Sequence, residues 1–170
     1  MLKGLCQYVL IGHSERRVHF RETEWVINRK VQAALRHGLK PVLCVGENAD
    51  QLEHGEGPLV VGHQLEADLK GVTLDSRVVI AYDPVWATMG RAEPPTARDI
   101  DDMCGCIRET LGELSTPQAA GDVRVLYGGT VTPRNAAEVS AQPEIDGALV
   151  GSAGLRAADF AAIVSAFAHG

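Results

Sequence analysis

No apolar run in the 170 residues approaches the roughly 18 that a membrane span requires, and the N-terminus lacks the charged, apolar, small-residue order of a secretory leader. Those absences lead us to expect a cytoplasmic protein. Nor is there a stripe of lysine or arginine: 16 basic side chains stand scattered against 22 acidic ones, for a net charge of -6. A chain of that balance has no surface that tracks a phosphate backbone, so nucleic acid is not an expected partner. The four cysteines, Cys6, Cys44, Cys104 and Cys106, form no CxxC pair, and none has a histidine at a ligand spacing. No metal or other cofactor is therefore expected, and Cys44, inside the apolar run "PVLCVG", reads as a small buried hydrophobe. No Gly/Ser or proline linker divides the chain, which reads as a single domain over residues 1–170 with enough apolar residues, 45%, to form a core.

What is present alternates. Five short runs rich in Val, Ile and Leu occupy residues 8–12, 41–47, 78–84, 123–129 and 147–152. They are nearly continuous in apolar character, the mark of parallel strands covered on both faces. Between them lie helical spacings. After Thr23, an N-cap type followed by Glu24, Ile27, Val31 and Leu35 recur every four residues until Gly38. Ile100, Met103, Ile107, Leu111 and Leu114 repeat the pattern, as do Phe160, Ile163, Val164 and Phe167. A further helix is predicted from about residue 58 to 69, and a short one beginning near Pro133, a favourable first-turn residue. Five βα units of this kind make an α/β fold with a parallel sheet, either doubly wound or part of a barrel.

Both architectures gather their chemistry at the C-terminal ends of the strands. There stand His13, Glu47, Asp83, the stretch Tyr127-Gly128-Gly129-Thr130, and Gly151-Ser152. A histidine and a carboxylate on one rim suit acid/base work, which needs two titratable groups within reach of one substrate. The glycine pairs either make tight turns or leave backbone N–H groups open to an anion. Two such pairs on neighbouring strands, beside an acid/base pair, favour phosphate.

The stretches "YVLIGHSERR", "AYDPVWA", "LYGGTVTPRNAAEV" and "DGALVGSAGLRAADFAAIV", in this order, closely resemble the triosephosphate isomerase family. The resemblance implies a partial TIM barrel, (βα)5, matching the last five of the family's eight units. It also implies interconversion of glyceraldehyde 3-phosphate and dihydroxyacetone phosphate. By the same resemblance His13 matches the histidine that polarises the substrate carbonyl, with Glu15 in the same motif. Asp83 stands where the family has its glutamate base. Trp86 and Ala87 match a lid hinge, and Met89, Gly90, Thr130, Gly151 and Ser152 match positions that grip phosphate.

The resemblance also carries departures. The family's lysine-bearing first strand has no counterpart in the sequence, the base is shorter by one methylene, and the lid reads "ATMGRA". Weak turnover is the expectation, with an inactive, self-associating partial barrel that retains weak phosphate binding as the alternative. A module for another sugar phosphate is a third. Open edges at the runs 8–12 and 147–152 predict a homo-oligomer, dimer or tetramer, with Val9, Ile11, Leu149 and Val150 facing water in a lone copy.

Overall fold

The structure is a computed structural model that describes residues 4–88 and 94–168. Its centre is a five-stranded parallel sheet of β1 (Tyr8–Ile11), β2 (Lys40–Val45), β3 (Val79–Tyr82), β4 (Arg124–Tyr127) and β5 (Gly147–Ala148). Spatial order follows sequence order, so each strand pairs with the next and the helices form the crossovers. The register sets Leu10 beside Val42, Cys44 beside Ala81 and Tyr82 beside Tyr127. This is the α/β partial barrel that the strand runs and the resemblance predict.

The long helices form where the apolar spacing lies. α2 (Glu24–Arg36) begins at Thr23, whose hydroxyl accepts the Val26 N–H, and buries Ile27, Val31 and Ala34. α4 (Gly57–Asp68) buries Val61 and Leu65 between α2 and the next long helix. α6 (Ala97–Leu114) starts in a reciprocal cap between Thr96 and Asp99 and buries Ile100, Cys104, Ile107 and Leu111. α9 (Ala157–Phe167) closes the described chain, with Ile163 its one buried residue. These helices cover one face of the sheet, where the main core gathers Leu43, Val45, Ile80, Val125 and Tyr127. On the opposite face a smaller cluster joins Val42, Cys44, Val79 and Ala81, with Leu126 and Leu149 at its margin.

Shorter helices fill the strand ends and turns: α1 (Ser14–His19), α3 (Ala49–Glu53), α5 (Val85–Thr88), α7 (Pro117–Asp122) and α8 (Ala136–Ser140). α8 begins three residues after Pro133, because the Asn135 side chain takes the Thr132 N–H and hydroxyl into a turn of their own. β5 is two residues long and its run passes into a 3₁₀ turn, Ser152–Leu155.

Strand alternation also corrects the expected edge exposure. Ile11 is buried and Val9 is packed against the main core, because both point toward the helices, while Leu149 and Val150 are half-buried. The exposed apolar residues of the β1 edge are their neighbours Tyr8 and Leu10. No helix among the described residues is long and apolar enough to cross a membrane.

Candidate active site

The site is built from the turn that ends β1. Gly12 takes φ +74, a conformation that costs glycine nothing, and a Cβ there would press on the Cys44 carbonyl oxygen at 3.1 Å. Arg17 then fastens the turn. Its Nε donates to the Gly12 carbonyl at 2.8 Å, and its Nη2 to the Cys44 carbonyl at 3.0 Å and to Asp68 Oδ2 at 2.7 Å. Asp68 is fully buried, and that burial pushes its carboxyl up to about 6 even against the pull of Arg17.

His13 caps α1, and its Nδ1 accepts the backbone N–H of Glu15 at 3.4 Å. In the neutral ring this leaves Nε2 as the proton-bearing nitrogen, directed toward Asp83. The separation from Nε2 to Asp83 Oδ2 is 3.8 Å, too long for a hydrogen bond, so neither group consumes the other's capacity.

Asp83 follows β3 and is buried, with 2% of its surface exposed. Its backbone N–H donates to the Val45 carbonyl at 2.7 Å, fixing its height on the sheet. Oδ2 accepts the Ser14 backbone N–H at 2.9 Å, whereas Oδ1 has no hydrogen-bond partner. A buried carboxylate oxygen without a partner typically costs ~1–3 kcal/mol, and that cost is relieved when a bound molecule brings a donor to it. Gly46 makes the approach possible, since a Cβ there would lie 2.3 Å from the Asp83 carbonyl oxygen.

Beneath the strand end, Glu47 Oε1 accepts from the Tyr82 hydroxyl at 3.0 Å and from Trp86 Nε1 at 2.7 Å. The segment after Asp83 is thus tied to β2. It is tied to β4 as well, because the Thr130 hydroxyl donates to the Ala87 carbonyl at 2.9 Å.

His13, Glu15, Thr130, Gly151 and Ser152 line one cavity of about 820 Å³, and Asp83 adjoins it through His13. Met89 and Gly90 lie outside the described residues. Arg156 is the cavity's one permanent cation among the described residues, and it is paired with Asp159. No group of three or more His, Cys, Asp or Glu among the described residues is placed to hold a metal ion. Sequence reasoning placed Glu47 on the rim but not beneath Trp86, and it did not single out Ser14 or Arg17. The "SERR" that follows His13 is the only local sign of the last two.

The family model described as triosephosphate isomerase matches residues 1–167. Among similar proteins, the triosephosphate isomerase of Roseiflexus sp. (strain RS-1) is 49% identical over 167 residues, covering 96% of this chain and 65% of the relative. That of Thermoanaerobacter sp. (strain X514) is 49% identical over 168 residues, 97% of this chain and 67% of the relative. The Moorella thermoacetica protein is 50% identical over 168 residues, with the same coverage. The chain spans about two thirds of the length of these relatives.

Proposed function

The chain belongs to the triosephosphate isomerase family, and from that premise we propose that its site moves a proton between adjacent carbons of a three-carbon sugar phosphate. The observation that carries this reading is the approach of Asp83 to His13, a cavity-lining residue, with Oδ2 3.8 Å from Nε2 while Oδ1 of the same carboxylate has no hydrogen-bond partner.

In this reading dihydroxyacetone phosphate enters with its carbonyl oxygen toward His13. Asp83 takes the proton from the carbon beside the carbonyl, and the electron pair moves to the oxygen, where the Nε2–H of His13 meets the developing charge. Return of the proton from Asp83 to the former carbonyl carbon, with the hydroxyl proton of the adjacent carbon passing by way of His13 Nε2 to the oxygen that was the carbonyl, gives glyceraldehyde 3-phosphate. The phosphate lies against the backbone of Gly151 and Ser152, with Thr130 opposite. Glu15 contributes the N–H that fixes the His13 ring.

The test is a coupled isomerase assay on the purified chain, with His13→Gln as the control for contaminating host enzyme. Turnover that is slow and lost in the control supports the reading. Turnover identical in the two proteins contradicts it.

A second reading, a phosphate-binding partial barrel without turnover, draws on the scarcity of positive charge: Arg156, already paired, is the cavity's permanent cation among the described residues. Self-association through the exposed Phe160 and Val164 of α9 belongs to both readings.

A further inference from the structure

A second cavity, of about 580 Å³, opens between the start of α4 and the start of α6, and it shares no lining residue with the cavity at His13. Its walls come from β3 and from the segments that follow β2 and β3, interior strands with neighbours on both sides, so it draws on neither margin of the sheet.

Glu47 lines this cavity and has no exposed surface. Its Oε1 accepts from the Tyr82 hydroxyl and from Trp86 Nε1, both neutral donors, while Oε2 has no hydrogen-bond partner. Burial, and then the charge of Glu47, hold the Tyr82 phenol well above the usual tyrosine range, which keeps it a neutral donor. No cation among the described residues forms an ion pair with Glu47. A buried carboxylate with one oxygen held by neutral groups and the other unpaired lacks its counter-charge. Gly57 leaves the flank of that carboxyl open, since a Cβ there would lie 3.6 Å from Glu47 Cδ and 3.1 Å from Met103 Cε.

The rest of the lining narrows what could bring the charge. Asp99 is a second carboxylate, and the described lining residues include no Lys, Arg or His. Leu52, Trp86, Pro94, Pro95 and Met103 make the walls largely apolar. The side-chain donors that an anion would need, on Tyr82, Trp86 and Thr96, are already spent on Glu47 and Asp99.

We propose that this cavity binds a small organic cation, a primary ammonium group carried on an apolar ring, with the ammonium donating to Glu47 Oε2 and the ring against Leu52, Trp86 and Met103. The ammonium supplies the missing counter-charge, and the ring covers apolar wall. The inference is independent of the isomerase reading, because its test reads binding and not turnover.

The probe is 2-phenylethylammonium, compared with its uncharged twin 2-phenylethanol and with benzoate. Each is titrated into the isotope-labelled full chain while the two indole N–H signals are followed; Trp25, exposed on α2, serves as the internal control. The expected result is a saturable shift at Trp86 and none at Trp25, with the amine bound about tenfold tighter than the alcohol. Glu47→Gln keeps a carbonyl oxygen for Tyr82 and Trp86 but removes the charge, and it should bind amine and alcohol alike. Leu52→Lys, at a position 40% exposed and so tolerant of a polar side chain, adds a competing cation to the lining. It should weaken the amine about tenfold while leaving the alcohol unchanged, and native circular dichroism is checked for both variants. Equal affinity of amine and alcohol in the parent would falsify the proposal. Tighter binding of benzoate, no shift of Trp86 at high millimolar amine, or full amine affinity in Leu52→Lys would each overturn it as well.

Discussion

Asp83 holds Oδ2 3.8 Å from His13 Nε2 and leaves Oδ1 without a partner, and the family resemblance sets it where a glutamate, one methylene longer, is expected. A carboxylate retracted by roughly 1 Å costs about a hundredfold in rate when attack geometry is tight. Asp83→Glu is therefore expected to raise kcat/KM for glyceraldehyde 3-phosphate by about that factor, while Asp83→Asn and His13→Gln each lower it at least ~100-fold. The coupled assay measures all three, and an Asp83→Asn protein as active as the parent refutes the assignment. Asp68 gives a pH dependence of the opposite sense to most carboxylates. Its folded value of about 6 lies above the ordinary 3.8, so the folded chain holds this proton more tightly. The stability it contributes is complete below the lower value and lost as pH rises through the upper one. Compared with Asp68→Asn, the parent's urea midpoint should thus lose ground between about pH 4 and about pH 7. Parallel pH profiles for the two proteins contradict this.

Among the elements, the ends of β2 and β3 leave no room for a side chain at Gly46. Gly46→Ala drives a methyl group into the Asp83 carbonyl, where the backbone must yield, and is expected to destabilise the fold by about 1–3 kcal/mol and depress turnover together. Urea unfolding and the coupled assay on one preparation check the pair of effects. The helices α2, α6 and α9 were legible in the sequence because each shows several turns of apolar spacing, with Thr23 marking the start of α2. α1, α3, α5 and α7 were not, since four to six residues hold too few turns for a period to show. The same boundary runs through the site. His13 and Asp83 could be read because they end strand-like runs. The Ser14 N–H on Asp83 and the Arg17 bond to Asp68 join residues 69 and 51 positions apart, and become visible only once the strands are neighbours.

Across the whole molecule, apolar surface is left uncovered where the sheet ends at β5. On α9, Phe160 and Val164 are exposed, and Leu155 precedes them on the 3₁₀ turn. Each large apolar side chain left in water forgoes about 1.5–3 kcal/mol, enough together to drive association. Sedimentation equilibrium at micromolar concentration should show species above 18.2 kDa, and Phe160→Glu with Val164→Lys should return the chain to monomer. A parent that sediments as a monomer refutes this. The two-residue β5 has one more consequence. With Leu126–Gly147 and Tyr127–Ala148 as its only strand pairs among the described residues, it is the rung from which the sheet opens most readily, so amide hydrogens there should exchange with deuterium well before those of β2 and β3. Gly151 and Ser152 hang from that rung, and the end of the cavity assigned to phosphate is consequently the part that unzips first. Saturating phosphate should slow exchange at β5 while leaving the already protected centre of the sheet unchanged.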